Sequence, residues 1–282
     1  MTVPDLLIIG HITRDVVPGG YEIGGTVSYA GLTAQRLGAR VAIVTSCGPE
    51  IDPARALPGL LVHAVPSAET TTFANLYHGG ERTQYLLAVA RPLTVADVPP
   101  AWRTAPVVLL APVANEVSPD LARALGARLL GATPQGWLRA REPDGRVRAV
   151  PWTGAEAVLP HLDVLVFSEY DIPDPALVAT YVAQVPLVVV TQGARGATLF
   201  QHGRPRHLPA YPTVERDPTG AGDVFAAAFL LHLARTGDPV AAMVFAHCTA
   251  SFAVEQPGTR GIPTAEQVAA RLRDYHRRFG VD

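Results

Sequence analysis

The stretch Asp217-Pro218-Thr219-Gly220-Ala221-Gly222-Asp223 leads directly into the apolar run 224–233. A run that is apolar nearly all round predicts a buried helix. Small residues at the start of a helix leave its backbone N–H groups unobstructed. Together with the helix dipole, these groups form an anion site that needs no charged side chain. The stretch therefore predicts a phosphate-binding helix N-terminus.

Asp223 is out of place beside such a site, because a carboxylate repels phosphate. Its presence makes sense if it accepts a proton from a hydroxyl while the anion site holds a phosphoryl group in transfer. An alternative interpretation is a glycine-rich turn in which Asp223 is a helix-capping or first-turn acid. The spacing alone leaves both interpretations open.

The composition excludes several classes of mechanism. All 23 basic residues of the 282-residue chain are arginine, so chemistry that needs lysine is excluded, including Schiff bases and the P-loop. The formal net charge of −2 disfavours nucleic acid as a partner. No apolar run approaches the ~20 residues of a membrane span. Cys47 and Cys248 lie far apart, which disfavours disulfides and cysteine-based zinc sites and favours a reduced, cytoplasmic setting.

Short apolar runs alternate with helical stretches along the chain. This alternation predicts one α/β domain over 1–282, with a mostly parallel sheet and helices on both faces. The predicted strands are Leu6–Ile9, Val41–Thr45, Val107–Leu110, Val164–Phe167 and Leu187–Val190. The predicted helices before the glycine-rich stretch are Ser28–Leu37, Pro119–Leu130 and Pro175–Ala183.

Two segments interrupt this alternation. One is Tyr21–Ile23 between glycine pairs; the other is a strand pair, Thr70–Tyr77 and Thr83–Val89, around the turn His78–Glu81. We expect them to form a small β lid from segments 16–25 and 70–90. An ordinary surface hairpin is the alternative.

The glycine-rich stretch, continued by Val-Phe-Ala-Ala-Ala-Phe-Leu, closely resembles the C-terminal signature of the ribokinase-like (PfkB) carbohydrate kinases. The resemblance extends to Ile8–His11 with Asp15, to Gly24–Tyr29 and to Thr191–Gly196, in the family's order. It implies a ribokinase-like α/β fold with a β lid. It also implies transfer of phosphate from ATP, with Mg²⁺, to a sugar-like alcohol.

The resemblance assigns roles to individual residues. Asp223 would be the catalytic base, and the amides of Gly220, Ala221 and Gly222 would form the anion hole. The acceptor's hydroxyls would be held by Asp15, Gly25 and Ser28. The nucleotide would be lined by Thr191, Gly193 and His247. A monovalent cation would be held by Asp217 and Thr219. For His247, a buried core residue is the alternative.

Two positions depart from the family pattern. Tyr29 replaces an asparagine, which changes the acceptor pocket and argues against the usual ribose or fructose site. The metal-region motif Asn-x-x-Glu appears as Ser168-Glu169-Tyr170-Asp171, so Glu169 and Asp171 are the predicted Mg²⁺ residues. A solvated loop after a strand is the alternative.

A narrower resemblance, to the myo-inositol kinase branch, includes an aromatic residue at Tyr29 and the turn Pro134–Arg139. Gln135 would bind acceptor hydroxyls at the carboxyl end of a strand, and Arg139 would face the acceptor or a phosphate. Alternatively, Arg139 belongs to a solvated basic stretch.

The sequence therefore predicts an ATP-dependent kinase, a monomer or homodimer, that phosphorylates a polyol or sugar, with myo-inositol or a related carbohydrate as the first candidate. A nucleoside or other sugar kinase and a non-catalytic ligand-binding protein of the same fold are the alternatives.

Overall fold

The computed structural model describes residues 2–78 and 81–280. Its strands are β1 Leu6–Ile9, β2 Thr13–Val17, β3 Gly20–Gly24, β4 Val41–Cys47, β5 Leu61–Pro66, β6 Thr71–His78, β7 Glu81–Ala88, β8 Val107–Leu110, β9 Leu129–Ala132, β10 Arg139–Arg141, β11 Val147–Ala149, β12 Val164–Ser168, β13 Leu187–Thr191, β14 Ala197–Gln201 and β15 Arg204–Leu208. Its helices are α1 Thr26–Arg36, α2 Pro53–Ala56, α3 Asp120–Ala124, α4 Ala176–Val182, α5 Ala221–Thr236, α6 Pro239–Ala253 and α7 Ala265–Phe279.

Nine strands form one large sheet in the order β15-β14-β13-β12-β9-β8-β1-β4-β5. The pairs from β13 to β5 are parallel, and β14 and β15 add an antiparallel edge. The carboxyl ends of the parallel strands therefore share one edge of the sheet, where α/β proteins place their sites. The predicted architecture, a mostly parallel central sheet in an α/β fold, is confirmed.

Helices cover both faces of this sheet, and β1 shows why. Leu6 and Ile8 face one core with α1, α5, α6 and α7, whereas Leu7 and Ile9 face a second core with α3 and α4. Because successive side chains of a strand point to opposite faces, only a continuous apolar run can serve both cores. The run Leu6–Ile9 is fully buried for this reason.

A separate four-stranded sheet, in the order β3-β2-β6-β7, contains both segments that interrupt the alternation. Here β2 pairs antiparallel with β3 and parallel with β6. The sheet begins at Thr13, three residues before the predicted start of the lid. The Leu86 N–H also donates to the Gly145 carbonyl at 2.8 Å, which joins β7 to the β10–β11 hairpin. Within the predicted turn His78–Glu81, Gly79 and Gly80 lie outside the described residues.

The helix predicted over Pro119–Leu130 is wrong in its second half. Helix α3 ends at Ala124, and Leu129–Ala132 is the inner strand β9, paired with β8 and β12. Its apolar letters fit a buried strand as well as a buried helix. No helix among the described residues combines the length and the apolar character needed to cross a membrane.

Candidate active site

Helix α5 begins behind Gly220, whose φ of 77° is left-handed. A Cβ atom there would lie 2.2 Å from the Tyr29 ring, so the position requires glycine. By contrast, no atom lies within 4 Å of the place of a Cβ at Gly222, which is exposed. The first helical bond is donated by Val224 N–H to the Gly220 carbonyl at 2.9 Å. The amides of Gly222 and Asp223 belong to the first turn, where N–H groups have no partner within the helix.

The predicted anion hole is modified at one residue. The Ala221 N–H donates to the Pro218 carbonyl at 3.2 Å and so takes part in the turn. Among the three predicted amides, that of Gly222 therefore stays available to an anion, and the neighbouring Asp223 amide lies beside it. An anion placed here would meet the positive end of a 16-residue helix.

Asp223 is a half-buried first-turn residue of α5. Its pKa is raised to about 7, and burial is the largest cause. A side-chain hydrogen bond with Thr26 lowers this pKa, as does the charge of Arg139, whereas Asp171 and Asp15 raise it further. A carboxyl group with a pKa near neutrality is suited to accept and release protons at physiological pH. Thr26 is not among the predicted site residues, although it lies within the motif Gly24–Tyr29.

The glycine pair before α1 is crowded by neighbouring atoms. A Cβ atom at Gly24 would lie 2.4 Å from Asp15 Oδ2, and one at Gly25 would lie 2.4 Å from the His11 carbonyl oxygen. Gly25 also has a left-handed φ of 85°. The pair therefore lets Asp15 lie against the backbone at the start of α1. Asp15 Oδ1 accepts a hydrogen bond from the Thr13 hydroxyl at 3.3 Å.

Ser28 and Tyr29 are almost completely enclosed. The Ser28 hydroxyl is fully buried and donates to the Gly24 carbonyl at 2.7 Å. The Tyr29 ring is 5% exposed and packs beneath Gly220, in a small core with Val224. Burial raises the pKa of Tyr29, and the charges of Asp15 and Asp223 raise it further, so the phenol lies near both carboxylates.

Gln135 and Arg139 both meet Asp171, which follows β12. Gln135 Nε2 donates to Asp171 Oδ1 at 3.2 Å, and an Arg139 guanidinium nitrogen lies 3.7 Å from the same oxygen. The Ser168 N–H donates to the other oxygen, Oδ2, at 3.0 Å. The charges of Arg139 and Asp171 both act on Asp223, the first lowering and the second raising its pKa.

Glu169 forms an ion pair with Arg195, which lies in the turn after β13. The predicted metal residues thus already have protein partners. Both oxygens of Asp171 and Oε1 of Glu169 accept hydrogen bonds or form ion pairs with protein donors. A magnesium ion needs oxygens that are free to enter a tight octahedral shell. Within residues 2–78 and 81–280, no group of three or more metal-ligating side chains comes together. The residues present therefore do not fit a Mg²⁺ ion held directly by this loop.

The predicted nucleotide side lies around β13 and α6. Thr191 Oγ1 donates to the Phe167 carbonyl at 3.4 Å, and Gly193 has a left-handed φ of 58° in an exposed turn. His247 is 5% exposed on α6, with its ring edge-on to Phe225 at 5.2 Å. Burial lowers the pKa of His247 to about 3, so the ring is neutral. Contact of these residues with a nucleotide stays a prediction.

Asp217 joins two loops beside α5. Its Oδ1 accepts from the Thr219 N–H and its Oδ2 from the Gly258 N–H, each at 3.0 Å. Burial alone would raise the pKa of Asp217, but these hydrogen bonds outweigh it and lower the pKa. The ionised carboxylate orders the loops that the predicted monovalent cation would contact.

Sequence reasoning missed a buried pair, His11 and Glu116, behind the site. Glu116 is 1% exposed and accepts N–H bonds from His11 at 2.9 Å and Ala114 at 2.7 Å. The imidazole Nε2 donates to the Arg91 carbonyl at 2.9 Å, and Nδ1 lies 2.7 Å from the Thr71 hydroxyl oxygen. The pair thus joins the entries of β2 and β6 to the main sheet. His11 could have been recognised from the sequence, because it follows the predicted strand at the carboxyl end, where α/β proteins place functional residues.

The predicted resemblance is confirmed by comparison with known proteins, since residues 150–265 match the pfkB family carbohydrate kinases. Two relatives align over most of the chain. The cytidine kinase of Thermococcus kodakarensis is 26% identical over 256 residues, which are 82% of this chain and 89% of that protein. The inositol 3-kinase of Zea mays is 28% identical over 250 residues, which are 79% of this chain and 65% of that protein.

A shorter similarity is to the bifunctional protein HldE of Bradyrhizobium sp. (strain ORS 278). It is 38% identical over 100 residues, so it involves 35% of this chain and only 20% of that relative's length.

Solved structures match the fold over nearly all of the chain. A sulfate complex of a pyrophosphate-dependent kinase in the ribokinase family has a TM-score of 0.79 and 24% identity, over 94% of this chain and 99% of that one. The ribokinase of Arabidopsis thaliana, complexed with ribose and ATP, has a TM-score of 0.75 and 21% identity, over 96% of this chain and 99% of that one. At these identities the likeness establishes the fold alone.

Proposed function

We propose that this chain is a kinase that transfers a phosphoryl group from ATP to a hydroxyl of a polyol or sugar, with myo-inositol as the first candidate acceptor. The observation that carries the proposal is Asp223, a carboxyl group of pKa about 7, next to the open amides of an apolar helix. A proton acceptor and an anion site side by side are what phosphoryl transfer to an alcohol requires.

In this mechanism the acceptor lies between Asp15 and Asp223. Asp15 accepts a hydrogen bond from one acceptor hydroxyl and orients the ring. Asp223 takes the proton of the hydroxyl that attacks, while the amides of Gly222 and Asp223 stabilise negative charge on the transferred group. The Thr26 hydrogen bond keeps the Asp223 carboxylate aimed at the acceptor.

The four-stranded sheet β3-β2-β6-β7 would act as the lid. Its strand β2 carries Asp15, so acceptor binding and lid position are coupled through one strand. Closure over the acceptor would exclude water and limit wasteful hydrolysis of the donor.

The inositol preference is supported by the 28% identity to the maize inositol 3-kinase, together with Tyr29 near Asp15 and Asp223. A nucleoside acceptor is the second candidate, supported by the 26% identity to a cytidine kinase over 89% of that relative. The polyol is preferred because the resemblance to the myo-inositol kinase branch includes an aromatic residue at position 29.

The test is phosphoryl transfer from labelled donor to a panel of acceptors: myo-inositol, other polyols, ribose, fructose and cytidine. Each acceptor is tried with ATP and with pyrophosphate, and Asp223→Asn protein is the matched control. We expect labelled myo-inositol or a related carbohydrate with ATP as donor. Transfer to cytidine alone would overturn the polyol assignment, and donor binding without transfer to any acceptor would overturn the kinase proposal.

A further inference from the structure

The ends of β12 and β13 carry two acid–arginine pairs. Asp171 is paired with Arg139, and Glu169 is paired with Arg195. The Glu169 N–H also donates to the Thr191 carbonyl at 3.0 Å, which fixes the two loops to each other. Both pairs therefore belong to one structural unit at the carboxyl edge of the sheet.

The first pair is held on several sides. Asp171 and Arg139 have side-chain exposures of 13% and 21%. Asp171 also accepts hydrogen bonds from Gln135 and the Ser168 amide, so two further groups of the protein set its orientation, and it presents Arg139 rather than a free carboxylate. A half-buried carboxylate whose two oxygens both accept hydrogen bonds is a poor metal ligand, but it can hold a neighbouring arginine side chain in position.

The second pair is more open. Arg195 is 63% exposed, whereas Glu169 is 27% exposed, so the outer member facing solvent is the arginine. The guanidinium group presents several N–H donors in a fixed planar arrangement, and one carboxylate does not saturate them. An incoming phosphate can therefore bind Arg195 without displacing Glu169.

We propose that Arg139 and Arg195 bind the phosphates of the donor, and that Asp171 and Glu169 position these two arginines instead of binding a divalent cation. The inference rests on the proposed function and identifies how its donor is recognised. The ligand class is a pyrophosphate group, either as part of a nucleoside triphosphate or as inorganic pyrophosphate. A divalent cation would then reach the site on the donor's phosphates. No lysine is available in this chain for the same role.

The test measures binding of inorganic pyrophosphate by calorimetry, with EDTA present, to the full chain and its variants. We expect wild-type protein to bind, and Arg139→Gln and Arg195→Gln each to weaken binding about ten-fold or more, since charged hydrogen bonds to phosphate are strong. Arg139→Lys and Arg195→Lys should restore part of the loss, because the charge remains.

Arg40→Gln is the matched control. Arg40 is 61% exposed and pairs with Asp5 at 2.9 Å, but at the amino ends of β1 and β4, the opposite edge of the sheet. We expect its pyrophosphate affinity to equal that of wild type. Circular dichroism of each variant separates loss of folding from loss of binding, and the lysine variants keep the inference testable if a glutamine variant does not fold.

Glu169→Gln separates the arginine interpretation from the metal interpretation. If Glu169 only positions Arg195, its loss leaves the Mg²⁺ concentration for half-maximal activity unchanged and pyrophosphate affinity within a few-fold. A rise of that Mg²⁺ concentration by five-fold or more would overturn the inference, as would arginine variants that bind like Arg40→Gln or wild-type protein that does not bind. Because binding is measured without an acceptor, its result does not depend on whether the chain transfers phosphate to any acceptor. A failure of the kinase proposal and a failure of this inference can therefore be told apart.

Discussion

Helices α1 and α5 both begin at the candidate active site behind a left-handed glycine, yet their first turns differ. At α1, Thr26 and Ser28 are buried and their hydroxyls bind other protein groups. At α5, Gly222 is exposed and the space beside it is empty. The comparison shows that a glycine-led helix start is not in itself an anion site. The start of α1 is closed by contacts within the protein, whereas the start of α5 is open to a ligand.

The largest effect on activity is expected at the start of α5. Asp223→Asn removes the proton acceptor, and we expect kcat to fall about 10²- to 10⁴-fold with acceptor KM nearly unchanged. Steady-state kinetics measures this. The same variant should have a higher Tm, and more so at pH 8 than at pH 6. The raised pKa of Asp223 means that its stabilising contribution is lost as pH rises through about 7. Near-normal turnover would contradict the role of Asp223.

Two alanine variants of α5 distinguish a glycine required by packing from one required by a ligand. At Gly220 a methyl group overlaps the Tyr29 ring and the left-handed φ is strained, so Gly220→Ala should destabilise by about 2–5 kcal/mol. Gly222→Ala meets no protein atom, so stability should be kept or rise by up to about 1 kcal/mol, while donor KM rises. Chemical denaturation and kinetics measure the two effects. Equal stability losses would show that the second position is also packed.

The start of α1, which carries Thr26, is tested through the pH profile of activity. Activity requires ionised Asp223, so it should rise with pH through about 7. Thr26→Val removes the hydrogen bond that lowers this pKa, and the acidic limb of kcat should move up by roughly half a unit to one unit. Thr33→Val is the matched control, since Thr33 is a buried threonine of the same helix that donates to the Tyr29 carbonyl. A similar shift in both variants would remove Thr26 from this role.

The smallest effect is expected at Ser28. Its buried hydroxyl is used by the Gly24 carbonyl, so Ser28→Ala should cost about 0.5–1.5 kcal/mol of stability and change acceptor KM less than two-fold. Thermal denaturation and acceptor titration measure this. A ten-fold rise in acceptor KM would return Ser28 to the acceptor site, where the sequence resemblance placed it.

Much of the fold could be predicted from the sequence, because local patterns determine it. The strand Val107–Leu110 agrees residue for residue, and Asp238 and Thr264 cap α6 and α7 as their residue types favour. The inner strand β9 was missed. Its letters Leu-Leu-Gly-Ala continue the apolar character of the helix before it, although Gly126 between them is a stop signal, and pairing with β8 and β12 makes them a strand.

The candidate site divides in the same way. Asp223 and its glycines could be found because they lie within one contiguous motif. The pairs Arg139–Asp171 and Glu169–Arg195 join residues 32 and 26 positions apart, and no local pattern encodes such partners. For the same reason the arginine partners of Glu169 and Asp171 could not be predicted, since they come from other loops, and the metal role of these two acids stays a prediction.

The site draws Asp15, Thr26, Arg139, Asp171 and Asp223 from five separated parts of the chain, brought together only when β1 lies between β4 and β8. Such long-range pairing forms late and slowly in folding. The binding site is therefore a property of the complete native state and of no folding intermediate that lacks the central strands. A ligand present at 100 times its Kd and bound only by the native state would favour that state over the unfolded chain by about 2.7 kcal/mol.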